Sequence, residues 1–232
     1  MNLNTPRILN KKISGYIKDE QRLKRSQEYF VLAFLKYKFP DKYDDVFRSD
    51  RPDLQGEKVF VEVTTLDAYT DMQANKEFAK YCEDCDERRI KTIEKTGNAV
   101  GDIVGINATK MHRGGGYNFE SDHLLLENRI YEKINKAKGY DVKNRTPELA
   151  LVKEDRPFQE WLEKIGSSLE TIVNDQEIYE TIYILFPNNC IYIERGKFPQ
   201  TIDLSQNEFL RLKTIGRMTA EEEINTDDEE WK

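Results

Sequence analysis

Tyr29, Phe30, Ala33, Phe34 and Tyr37 recur at three- and four-residue spacing. That period predicts an amphipathic helix from about Asp19 to Phe39, stopped before Pro40. The period then changes. Val46 to Leu54 and Lys58 to Leu66 read as two strands joined by a turn at Gln55, Gly56 and Glu57. In the second, β-branched residues dominate, and alternation sets Val59, Val61 and Val63 on one face with Phe60, Glu62 and Thr64 on the other. From Asp71 to Lys95 apolar positions are sparse (Met72, Phe78, Ala79, Ile90, Ile93), which suits one or two exposed helices.

Glycines at 97, 101 and 105 and the run Gly114-Gly115-Gly116 precede a helix predicted from Asp122 to Lys138, capped by Ser121 and buried along Ile130, Ile134 and Ala137. Glu148 to Val152 reads as a strand and Phe158 to Val173 as a helix. Glu180 to Phe186 and Cys190 to Glu194 then flank the turn residues Pro187, Asn188 and Asn189 as a hairpin. Ser205-Gln-Asn-Glu208 is a capping-box sequence opening a short helix. Helices and strands mixed in this order predict an α/β (α+β) fold, a central mixed sheet flanked by helices. One domain over residues 1–220, with an insertion over 67–120 and a C-terminal hairpin plus helix, is followed by an acidic, flexible tail at 221–232.

With 232 residues, 38% hydrophobic, the chain is long enough to bury a core of its own. No apolar run approaches a membrane span and the first residues lack a secretory apolar centre, so a cytoplasmic protein with no membrane partner is expected. Three cysteines, Cys82, Cys85 and Cys190, do not suggest a disulfide framework. The net charge of -7 argues at first against a nucleic-acid partner. Seven acids against Lys232 put -6 of it in the tail, however, while seven Lys and Arg against two acids give residues 1–25 about +5. That basic arm suits a phosphate backbone or a solvated helix face.

The chemistry concentrates in Arg51-Pro-Asp53-Leu-Gln-Gly-Glu-Lys-Val-Phe-Val-Glu62-Val-Thr64. Antiparallel pairing can bring Asp53 and Glu62 together, and paired carboxylates suit a hard cation, Mg²⁺ or Mn²⁺. A carboxylate on a valine-rich strand needs a partner, either such a cation or an arginine, unless it faces solvent on an edge.

These residues resemble the PD-(D/E)XK, or restriction-endonuclease-like, nuclease superfamily, whose signature is a Pro-Asp, a hairpin, then an acid, any residue and lysine. Pro52-Asp53 and Glu62-Val63 match it over a resemblance that spans about residues 20–152. It implies a metal-dependent endonuclease that hydrolyses nucleic-acid phosphodiesters, DNA favoured over RNA, with a homodimer compatible. It also implies Asp53 and Glu62 as catalytic metal ligands, with Glu28 of the preceding helix completing the site. Thr64 stands where the family has lysine. In the similar cap-snatching endonucleases of segmented RNA viruses the lysine lies on the helix after the strand, which here offers Lys136 first and Lys133 second. If no lysine replaces it, the chain is a decayed nuclease fold that binds nucleic acid or protein. Cys82-Glu-Asp-Cys85 with His112 and His123 has only partial zinc spacing, and Gly114-Gly115-Gly116 lacks the Lys-Ser/Thr of a P-loop. Trp161 reads as core. A third reading makes the tail a nucleic-acid mimic that blocks a basic groove.

Overall fold

The structure, a computed structural model, describes residues 20–66, 77, 88–89, 91–92, 100–103, 109–112, 119–140, 144–153 and 159–230. Two helices come first, α1 (Glu20–Lys38) and the single turn α2 (Pro40–Tyr43). Strands β1 (Phe47–Arg48), β2 (Leu54–Gln55) and β3 (Val59–Thr65) follow. Strands β4 (Val100–Ile103) and β5 (Thr109–His112) pair with each other as a separate hairpin. Helix α3 (Phe119–Ala137) leads to β6 (Thr146–Val152), and α4 (Gln159–Asp175) to β7 (Thr181–Leu185). Strands β8 (Asn189–Glu194) and β9 (Gln200–Asp203) and helix α5 (Gln206–Glu230) close the order.

Seven strands form one mixed sheet in the order β1-β2-β3-β6-β7-β8-β9. The β1-β2-β3 and β7-β8-β9 groups are antiparallel meanders, while β3, β6 and β7 run parallel. Parallel neighbours need crossovers over a face, and α3 and α4 lie in the β3-to-β6 and β6-to-β7 connections. Alternation then divides the core. Val59, Val61, Val63, Ala150, Val152, Tyr183 and Leu185 pack with Phe30, Phe34 and Leu35 of α1 and Phe209 and Leu212 of α5. Leu149, Leu151, Ile182 and Ile184 face Ile130 and Ile134 of α3 and Ile165, Leu169 and Ile172 of α4. The protein is therefore a mixed α/β fold with helices on both sheet faces.

Helices α1 and α5 touch closely because residue 216 is glycine. A Cβ there would stand 2.6 Å from the Phe30 amide nitrogen and 2.8 Å from the Ser26 carbonyl oxygen. Phe30 and Phe209 meet edge to face at 5.3 Å across the same contact. A buried polar cluster sits on this face. Tyr43 Oη donates to Glu148 Oε2 at 2.5 Å and lies 2.6 Å from Tyr183 Oη, while Lys42 Nζ reaches Glu148 Oε1 at 2.6 Å. Burial pushes the Glu148 carboxyl up, against the pull of Lys42. Among the described residues no helix is long and apolar enough to cross a membrane.

Several sequence expectations are corrected. The segment from Val46 to Leu54 is not one strand: Ser49 N–H donates to the Asp53 carbonyl at 2.8 Å, and the turn it closes separates β1 from β2. Pairing with β3 therefore begins only at Leu54. Ser121 lies inside α3, which starts two residues earlier. The C-terminal helix is not short: α5 spans 25 residues and carries on through the acidic segment to Glu230. Strand β9 was not anticipated. The N-terminal arm, both cysteines of the 82–85 pair and the triple glycine lie outside the described residues, as do most of 67–99 and the side chain of Trp161.

Candidate metal centre

Strand β3 lies between β2 and β6, so Glu62 is not on an edge. Its side chain is fully buried. Pairing of Leu54 with Val61 and Gln55 with Phe60 sets the register. One step beyond that ladder Asp53 stands across from Glu62, and its carboxylate takes the next position along. Asp53 Oδ2 accepts the Val63 N–H at 2.9 Å. The turn before β2 thus places a carboxylate where a neighbouring strand would have offered a carbonyl, and the amide of β3 is satisfied by charge.

Glu28 projects from α1 and is also buried, at 1% exposure. It is bound by Arg48 of β1, whose Nε donates to Glu28 Oε2 at 2.8 Å. Lys24, one helical turn before Glu28, brings Nζ to 3.2 Å from Glu28 Oε1 and 3.0 Å from Asp53 Oδ1. From the other side, Lys133 of α3 donates to Glu62 Oε2 at 2.9 Å and to the Val63 carbonyl at 3.1 Å, with Asp53 Oδ2 at 3.9 Å. Lys136, one turn on, stands 3.5 Å from the same Glu62 oxygen. Tyr179 Oη donates to the Lys133 carbonyl at 3.0 Å, fixing the helical turn that carries the lysine.

All five residues expected from the sequence, Glu28, Asp53, Glu62, Lys133 and Lys136, are therefore drawn into one constellation. Of the two lysines, Lys133 is the more firmly held. Lys133 is the nearly buried one with two hydrogen bonds, whereas the Lys136 side chain is 46% exposed. The alternative that Glu62 faces solvent on an edge is overturned by its burial. Sequence reasoning missed Lys24, Arg48 and Tyr179. Of these only Lys24 had a local signal, its four-residue spacing from Glu28 on one helix face.

Electrostatics separate the acids. Burial pushes the Asp53 carboxyl up, but the Val63 amide with the ammonium groups of Lys133 and Lys24 outweighs it and holds Asp53 below the usual carboxylate value. Glu28 goes the other way: burial, then the charge of Asp53, raise it against Lys24 and Arg48. Burial works against the charge on Lys24, yet Asp53 and Glu28 leave its pKa raised. Burial and then the neighbouring Glu62 push up the hydroxyl of Tyr140, which packs edge to face on Phe60 at 6.1 Å.

The carboxylate oxygens are of the kind a hard cation takes, and they arrive from α1, from the turn before β2 and from β3. No donor meets Asp53 Oδ1 or Glu62 Oε1 with hydrogen-bonding geometry among the described residues, although Lys24 reaches the former as an ion pair. Among the same residues, no group of three or more His, Cys, Asp or Glu side chains is gathered as a ready-made metal cage. Ammonium groups stand between the acids instead. Of the partial zinc set, Cys82 and Cys85 lie outside the described residues, and His123 of α3 lies 3.7 Å from Glu127.

No family model, curated protein or solved structure matches this chain.

Proposed function

We propose that the chain is a divalent-metal-dependent nuclease of the PD-(D/E)XK kind, hydrolysing phosphodiester bonds of nucleic acid, with DNA the favoured substrate. One observation carries the reading. Buried Asp53, just before β2, and Glu62 of β3 lie close together, and a lysine from the following helix is hydrogen-bonded to Glu62. Thr64 occupies the strand position where the family keeps its lysine, and the Lys133 ammonium supplies the missing cation from α3. The chain order supports the same reading, because a helix, a three-strand meander, a crossover helix and a parallel strand are the elements that hold the site.

Asp53 and Glu62 would hold Mg²⁺ or Mn²⁺, with Glu28 as the third acid. When bound, such an ion lowers the pKa of a coordinated water and neutralises charge on the scissile phosphate. Lys133 is held in a fixed direction by Glu62, the Val63 carbonyl and the Tyr179-anchored turn. A lysine so fixed stabilises charge growing on the phosphate without reorganising at the moment of reaction. Lys136, half exposed beside the same carboxylate, is placed to meet a substrate phosphate from the solvent side.

The experiment is incubation of the full chain with supercoiled plasmid and with RNA, in Mg²⁺, in Mn²⁺ or in excess chelator. Cleavage that needs the metal and disappears in Asp53→Ala and Glu62→Ala is expected. Cleavage that persists in chelator, or in Glu62→Ala, sinks the proposal.

A second reading is favoured by the ammonium groups themselves. With Lys24, Arg48, Lys133 and Lys136 each paired to an acid, the cluster is charge-compensated by its own chain, as in a decayed nuclease fold that binds a partner through its surface. That reading expects neither Mn²⁺ binding nor cleavage from a fully folded protein.

A further inference from the structure

Three buried acids are matched by four cations of the same chain, so a divalent ion cannot simply be added to this site. It has to displace one of the cations, and geometry identifies which. Arg48 is only 14% exposed and is committed to Glu28. Lys133 also spans two acids, Glu62 at 2.9 Å and Asp53 at 3.9 Å, but it is 11% exposed and tied to a backbone carbonyl as well. Among the described residues, Lys136 pairs with Glu62 only, at 3.5 Å. Of the four, Lys24 combines an exposed side chain with a bridge between two acids. Its side chain is 57% exposed, and its nitrogen bridges carboxylate oxygens from two elements, Glu28 of α1 and Asp53 before β2, at 3.2 and 3.0 Å. Bridging acids from separate elements is the task of the ion in such a site. An exposed stem also gives the ammonium group a route back to water at little cost.

We infer that Lys24 is a tethered stand-in for the divalent cation: it holds Glu28 and Asp53 together in the metal-free protein, swings into solvent when the ion binds, and so weakens metal affinity. The inference rests on the metal reading above and adds its regulation. The exchange balances: one ammonium leaves two carboxylates as one divalent ion takes them, with no bond made or broken in the chain. The site therefore stays assembled without metal and responds to the divalent-ion concentration around it.

The test is calorimetric titration of the chelator-stripped full chain with MnCl₂, comparing wild type with Lys24→Met, Lys24→Arg and, as a surface control, Lys213→Met. An exposed ion pair with two acids is worth a few-fold to about tenfold in an equilibrium constant. Lys24→Met should accordingly bind Mn²⁺ about three- to tenfold tighter than wild type. Lys24→Arg and Lys213→Met should bind no tighter than wild type. Thermal melts give a second readout: without metal Lys24→Met should melt below wild type, and saturating Mn²⁺ should raise its midpoint by the larger increment. Binding by Lys24→Met alone would support the inference most strongly. Wild type that binds Mn²⁺ while Lys24→Met binds equally or more weakly overturns the stand-in and leaves the metal site intact. If neither protein binds Mn²⁺ at millimolar concentration, the metal reading falls and the stand-in with it. Should Lys24→Met fail to fold without metal, Lys24→Gln replaces it. Failure of Mn²⁺ to restore folding of Lys24→Met would also count against the inference.

Discussion

Replacing Lys133 by methionine keeps most of the stem and deletes the ammonium that Glu62 depends on. Glu62 is wholly buried, so the variant leaves a carboxylate inside the fold with Lys136 at 3.5 Å as its remaining cation among the described residues. The lost charge-assisted hydrogen bond at 2.9 Å is worth about 1.5–3 kcal/mol. Stranding a buried charge by removing its partner costs about 3–5 kcal/mol. Lys136 can close part of the gap, which sets the expectation at the low end, about 3 kcal/mol. By contrast Lys136→Met removes a cation that is 46% exposed and should cost no more than about 1 kcal/mol. The assay is urea unfolding in excess chelator, followed by far-ultraviolet circular dichroism. With a slope of about 2–3 kcal/mol per molar, the Lys133→Met midpoint should fall by about 1–1.5 M while Lys136→Met stays near wild type. Adding Glu62→Gln should recover part of the loss, because the stranded charge is gone, with a coupling of about 2 kcal/mol in the double-mutant cycle. Equal midpoints for the two lysine variants, or a Lys133→Met loss under about 0.5 kcal/mol, would refute the claim that Lys133 is the buried partner of Glu62.

Gly216→Ala places a methyl 2.6 Å from the Phe30 amide and 2.8 Å from the Ser26 carbonyl, both backbone, so α1 and α5 have to separate. Unfolding by urea should show a loss of about 2–3 kcal/mol, and the shift of α1 should also weaken any Mn²⁺ binding that depends on Glu28. Glu208 accepts the Ser205 amide at 2.8 Å while its own amide is bonded by the Ser205 hydroxyl, so Glu208→Ala should cost about 1 kcal/mol as a lost capping box. The Ser205 amide and hydroxyl, with Lys38, hold this carboxyl down to about 2 against an ordinary 4.5. An acid lowered on folding contributes stability that is present above its unfolded value and fades as pH falls towards its folded value. Acid unfolding of Glu208→Gln between about pH 4.5 and 2 should therefore be shallower than wild type; an unchanged slope contradicts the assignment.

Much of this arrangement was legible because β3 carries two signals in one segment. Its β-branched run fixes the strand, and period-two alternation fixes Glu62 on the face opposite Val59, Val61 and Val63. The helix before it was legible from apolar periodicity, and the strand from Glu148 and the hairpin around Asn188 from short apolar runs, because β6 and β7 are buried on both faces. What failed lacked that signal. Strand β9 is mostly exposed and its side chains do not alternate between core and solvent, so Gln200 to Asp203 reads as loop until β8 pairs with it. The split between β1 and β2 depends on one turn hydrogen bond from Ser49 to Asp53, which propensity does not encode.

The charges of the site divide along the same line. A lone carboxylate on a buried strand advertises itself, because burial without a partner is costly. A lysine on a polar helix does not, since solvent would satisfy it equally well. Hence Asp53 and Glu62 could be named from sequence, whereas the ranking of Lys133 over Lys136 required the packing of α3 on β3, with Tyr179 holding the turn that aims it. Lys24 and Arg48 needed α1 and β1 brought to one place before either could be seen as a partner. The physical reason is general: a buried acid states a demand that local sequence records, while the cation that meets it can come from any element within reach. In this chain the demand is met from both sides of Asp53, by the nearly buried Lys133 and by the exposed Lys24.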